Sequence, residues 1–138
     1  MKRLPALIAC CILGFSLLTQ AGGRPGQVAI ASAHPAATVA GLETLAAGGN
    51  AFDAAVAVSA ALAVTEPYGS GLGGGGFFLL RKAGDKPAYH FLDAREKAPQ
   101  AATPDMYREQ PARSLDGALA AAIPGLPAAL ADLASRYG

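Results

Sequence analysis

The chain has 138 residues, 52% of them hydrophobic, with 11 Lys and Arg against 10 Asp and Glu and a formal net charge of +1. That length makes one domain or a part of one, and the balanced charge leaves no basic stripe for nucleic acid. The cysteines are Cys10 and Cys11, adjacent and close to the start.

Both cysteines fall in a segment that reads as an export signal: "MKR" is basic, "LPALIACCILGFSLL" apolar, and "TQA" a small-residue cleavage site ahead of Gly22. The apolar run of about 15 residues is shorter than the stretch of roughly 20 that spans a bilayer. A lipoprotein signal ending at Cys10 is the alternative, at the cost of a truncated apolar region. Cleavage after Ala21 removes Lys2, Arg3 and both cysteines, so residues 22–138 carry nine basic and ten acidic side chains. The expected product is secreted or periplasmic, without a disulfide, a thiolate nucleophile or a cysteine metal ligand.

"GGRPG" (22–26) reads as a loop, and "QVAIA" (27–31) as a short buried strand. Pro35 suits the first position of a helix, with His34 or Ser32 near its cap. Val39, Leu42, Leu45 and Ala46 recur at helical spacing until Gly48 and Gly49, which can take the left-handed conformation that ends a helix. Asn50 then caps a second helix, with Asp53 three residues on supporting its positive end. Its sequence, "AFDAAVAVSAALAV", is apolar on nearly every face, which predicts burial on all sides.

"YGSGLGGGGFFLL" (68–80) follows, with six glycines in the eight residues 69–76. G-x-G-x-x-G fits twice, but a phosphate cradle needs a strand before the glycines and a helix after them. Here a helical segment precedes and a strand-like one follows, and no Lys-Ser or Lys-Thr completes a Walker loop. The glycines are therefore expected to serve packing. "FFLLRK", a turn at "AGDKP" and "AYHFLD" read as a β-hairpin. The segment 96–114 is proline-rich and polar, hence a loop, and "GALAAAIP" (117–124) reads as a further strand. The last stretch places Leu126, Leu130, Leu133 and Tyr137 on one helical face.

Few residues carry a signature of chemistry. His34 and His90 are expected to cap or pack, no G-x-S-x-G elbow surrounds any serine, and neither H-E-x-x-H nor a paired-carboxylate pattern occurs. No cofactor or metal is implied. The group that stands out is "FLDAREKAP" (91–99), in which Asp93, Arg95 and Glu96 sit at a strand end. On composition alone this is a solvated ion pair. Its functional reading makes Arg95 a fork for a carboxylate, with Asp93 and Glu96 holding its rotamer.

"GGNAFDAA", "GLGGGGF" and "DAREKAP", in this order and at these separations, resemble the N-terminal part of the γ-glutamyltransferases, or glutathione hydrolases. The similarity runs from about Gly26 to Gly138, and the combination is far more specific than any one of its parts. It implies an α/β (α+β) fold, the αββα sandwich of the N-terminal-nucleophile hydrolases, with the N-terminal portion of the large subunit at 22–138. It also implies that Arg95 binds the α-carboxylate of a γ-glutamyl substrate such as glutathione; proximity in the sequence makes Asp93 and Glu96 its expected supports. The family's nucleophile is a threonine freed by self-cleavage of a precursor, and Thr38, Thr44, Thr65 and Thr103 match no such motif. The resemblance thus makes this chain an inactive piece of a precursor whose remainder is its partner. A related acylase of the same fold and a non-catalytic exported carboxylate-binding module are the alternatives.

Overall fold

The computed structural model describes residues 28–138, so the expected signal segment, the loop at 22–26 and Gln27 lie outside the described residues. In chain order come helix α1 (Pro35–Ala46), helix α2 (Ala51–Thr65), a single helical turn α3 (Pro67–Ser70), strands β1 (Phe77–Lys82) and β2 (Ala88–Asp93), a 3₁₀ turn (Pro111–Ser114) and helix α4 (Leu126–Tyr137). Among the described residues the sheet is two-stranded and antiparallel. The result is a mixed α/β arrangement.

The helix ends follow from their capping residues. His34 is the N-cap of α1, its Nδ1 accepting from the Ala36 N–H at 3.1 Å, with Pro35 in the first turn. After Ala46 the chain turns left-handed at Gly48 (φ 98°), where the Gly48 N–H reaches Leu45 O and the Gly49 N–H reaches Thr44 O. These paired bonds satisfy carbonyls that a helix end leaves open. Asn50 then closes a reciprocal box: its Oδ1 accepts from Phe52 and Asp53 N–H, while Asp53 Oδ2 accepts from the Asn50 N–H.

Small residues let α1 and α2 approach closely. Gly41 is buried, and a Cβ there would stand 2.6 Å from Ile30 Cδ1 and 2.7 Å from Val58 Cγ2. Helix α4 then packs on α2, burying Leu126, Ala129, Leu130 and Leu133. Tyr137 stacks near Phe52 (centroids 5.1 Å apart), and its carbonyl accepts from Asn50 Nδ2 at 2.7 Å. Asn50 thus joins the start of α2 to the end of α4. Asn50→Ala is expected to lower stability by about 1–2 kcal/mol, and Asn50→Ser, which keeps an acceptor at the cap, by less. Thermal melting of the two variants checks the order; equal losses would show that the cap contributes nothing.

Three expectations are corrected. Residues 28–31 form no strand among the described residues, since they have no ladder partner; Ala29, Ile30 and Ala31 line a cleft against α1 and α2 instead. Helix α2 is not buried on all sides: Ala54 is its buried residue, and Val64 is 80% exposed, because α1 and α4 cover only part of its circumference. The hairpin exists as expected, Phe77 facing Asp93 and Lys82 facing Ala88. Yet Leu80 is the buried residue of β1, while Phe77 and Leu79 remain exposed, with Phe77 stacked on Phe91 at 5.5 Å. Finally, 117–124 is no strand; it makes turns around Gly117 and contributes one antiparallel bridge, Ile123 with Lys97.

Candidate carboxylate-binding site

The glycine run explains itself once β2 is followed past Asp93. Gly76 and Ala94 exchange both backbone hydrogen bonds (3.2 and 3.0 Å), extending the hairpin ladder by one pair. Just before it, a Cβ on Gly75 would lie 2.9 Å from Arg95 Cα and from Glu96 N, and closer still to Ala94 O. Gly125 stands in the same relation, since a Cβ there would lie 2.7 Å from Ala94 C and Arg95 O. The backbone of Ala94–Arg95 therefore runs against two glycines, at distances no side chain allows. None of the glycines at 69–76 has positive φ, so close approach rather than a left-handed turn is what Gly75 supplies.

A second clamp follows. Lys97 and Ile123 exchange both backbone bonds (3.1 and 2.8 Å), and the first N–H of α4, at Leu126, donates to Gly74 O at 3.2 Å. That donor, normally open at a helix start, is answered by the glycine run and not by a ligand. Arg95 and Glu96 thus sit between two backbone pairings three residues apart, Ala94 with Gly76 and Lys97 with Ile123. This fixes where the Arg95 side chain departs from the chain.

The Arg95 side chain is 57% exposed and borders a cleft of about 430 Å³. Asp93, Arg95 and Lys97 line one wall; Pro124, Gly125 and Asp132 belong to the other. Asp93 Oδ1 accepts from the Arg95 backbone N–H at 2.9 Å, so this carboxylate braces the main chain and not the guanidinium. Glu96 is the carboxylate paired with the guanidinium among the described residues, Nε to Oε2 at 3.3 Å. That contact is close enough for an ion pair but not aligned as a hydrogen bond, and the solvent-shielded Oε2 has no hydrogen-bond partner. Pairing through Nε leaves the outer edge of the fork, its two terminal nitrogens, available to a planar anion.

Asp93, Arg95 and Glu96, singled out in the sequence, are thus brought together, with Asp93 and Arg95 on the cleft and Glu96 turned toward Gly74. The histidines lie elsewhere: His34 caps α1, and His90 packs edge-on to Tyr137 at 5.8 Å. Gly125 and Ile123 were not anticipated. A signal for Gly125 was its position just ahead of α4 without a side-chain cap, where Ser, Thr, Asp or Asn is usual. Among the described residues no group of three or more His, Cys, Asp and Glu is placed to hold a metal ion, and no helix is long and apolar enough to cross a membrane.

The framework is mixed helix and antiparallel sheet, and it carries Arg95 on a backbone segment pinned on both sides. The family model for gamma-glutamyltranspeptidase matches residues 37–138, and the chain belongs to that family. It is 44% identical over 121 residues to the glutathione hydrolase proenzyme of Escherichia coli, covering 83% of this chain and 20% of that protein. Among solved structures, the gamma-glutamyltranspeptidase of Pseudomonas nitroreducens, complexed with L-DON, superposes with a TM-score of 0.74 at 42% identity, covering 83% of this chain and 35% of that one. That of Helicobacter pylori gives a TM-score of 0.75 at 40% identity, with 83% and 34% covered. The fold is thus that of these N-terminal-nucleophile hydrolases. The chain spans between 15% and 24% of the length of the curated relatives it matches.

Proposed function

We propose that this chain forms the N-terminal part of an exported γ-glutamyltransferase, in which Arg95 binds the α-carboxylate of a γ-glutamyl compound such as glutathione. The observation that carries this reading is Arg95 lining the cleft on a backbone clamped by Gly75, Gly125 and the two bridges, with its pairing to Glu96 made through Nε. A clamped fork positions rather than breaks bonds. Its contribution is orientation, because a substrate held by two parallel hydrogen bonds loses little further freedom on the way to the reacting geometry. Glu96 balances the charge, and Asp93 restrains the main chain beneath it.

In this reading the bond-making groups come from the remainder of the precursor. A threonine with its own α-amine as base attacks the γ-amide, and the acyl-enzyme passes its γ-glutamyl group to water or an amino acid. Residues 1–21 direct export and are removed. Residues 22–138 alone are expected to release no p-nitroaniline from γ-glutamyl-p-nitroanilide; turnover by this piece would overturn the assignment of the nucleophile. For the full-length protein the deciding comparison is γ-glutamyl-p-nitroanilide with glutaryl-p-nitroanilide. Faster release from the γ-glutamyl compound is expected, and equal or faster release from the glutaryl compound would favour a related acylase.

A further inference from the structure

We propose that Lys97 is a specificity residue of the same cleft, selecting γ-glutamyl compounds whose leaving group carries its own carboxylate. This rests on Arg95 as the reader of the α-carboxylate. Asp93, Arg95 and Lys97 are the charged residues that the stretch from the end of β2 to the Lys97–Ile123 pairing brings to the cleft. All three line the cleft, with Leu92 and Ala94 adding apolar surface between them, whereas Glu96 turns toward Gly74.

The charges of the cleft are unequally engaged. Asp93 accepts from the Arg95 N–H, and Asp132 on the far wall is paired with Arg136 at 3.1 Å. Lys97 forms no ion pair among the described residues, although its backbone is held at both hydrogen-bonding groups by Ile123. Two cations with free donors therefore face a cleft whose two carboxylates are already occupied. Residues two apart on an extended chain have Cα atoms roughly 6.5–7 Å apart. In a γ-glutamyl amino acid the two carboxylates are seven bonds apart, a span of roughly 7–9 Å at ordinary bond lengths. An ion with that spacing can engage both cations at once, the fork at Arg95 fixing its plane and the ammonium at Lys97 adding a point charge.

The test uses the full-length enzyme and a matched pair, γ-glutamylglycine and γ-glutamylglycinamide, which differ only in the leaving group's carboxylate. The readout is the ratio of their kcat/KM values. Lys97→Gln is expected to lower the preference for γ-glutamylglycine about three- to fivefold, the range of a partly exposed ion pair, and added salt is expected to erode the wild-type preference. Lys97→Arg, which keeps the charge, is expected to retain the preference. A ratio in Lys97→Gln equal to wild type, or an equal loss in Lys97→Arg, overturns the proposal. Arg95→Lys separates the two assignments, because it is expected to lower kcat/KM for both compounds together. If it lowers neither, the Arg95 reading fails, and the Lys97 ratio still reports on Lys97.

Discussion

Arg95→Lys in the full-length enzyme is expected to raise KM for γ-glutamyl-p-nitroanilide about 10- to 100-fold, with a smaller change in kcat. The charge survives this substitution; the geometry does not. Hydrogen bonds to charged groups contribute about 1.5–3 kcal/mol each, and each 1.4 kcal/mol is a factor of ten in affinity. A lysine ammonium offers a single point of contact where the guanidinium presents two parallel donors. The loss falls mainly on KM because the α-carboxylate is bound alike in the ground and transition states. A control isolates the contact. With 4-aminobutyryl-p-nitroanilide, which lacks the α-carboxylate, Arg95→Lys should change KM little. An unchanged KM for the γ-glutamyl compound, or an equal rise for both, would sink the assignment.

Gly125→Ala is expected to cost about 3 kcal/mol of stability, unusually much for adding one methyl group. At Gly125 φ is −95° and ψ −25°, which alanine adopts freely, so backbone strain is not the cause. The obstacle is steric: the methyl would stand 2.7 Å from Ala94 C and Arg95 O, and these are backbone atoms that cannot rotate away. Overpacking of this kind typically costs about 1–3 kcal/mol, here at the upper end because the chain on the other side is already held against Gly75. The matching control is Gly73→Ala. Nothing lies within 4 Å of a Cβ there and its φ is not positive, so a change within about 0.5 kcal/mol is expected. Melting temperature and soluble yield of both variants measure the contrast, and similar behaviour of the two would show that the clamp does not constrain the fold. A Gly125→Ala enzyme that folds should also bind γ-glutamyl substrates less well, since the same displacement moves Arg95.

The local elements were the legible part of this chain, because the chemistry that sets them is local. The Asn50–Asp53 box, the Gly48–Gly49 stop, the proline start at Pro35 and the hairpin around "AGDKP" each depend on residues within a few positions of one another. The three motifs that mark the family were legible for the same reason, as order and spacing are properties of the sequence itself. Burial was less legible. The all-round apolar character of α2 predicted complete enclosure, but apolar character states what a surface can bury, and neighbouring elements decide what it does bury. The strands expected at 27–31 and 117–124 failed on similar grounds, since a strand exists only with a ladder partner, and partners are chosen in three dimensions.

By itself, then, the sequence determined the helix caps, the hairpin, the family and the candidacy of Arg95, all carried by residue type at short range. Tertiary structure alone decided how Arg95 is held. Gly75 and Gly125 lie 50 positions apart, and Ile123 lies 26 positions from Lys97, yet the three converge on four residues of backbone. No periodicity links them. Their role comes from excluded volume and paired peptide groups, which act only once the chain has folded back on itself.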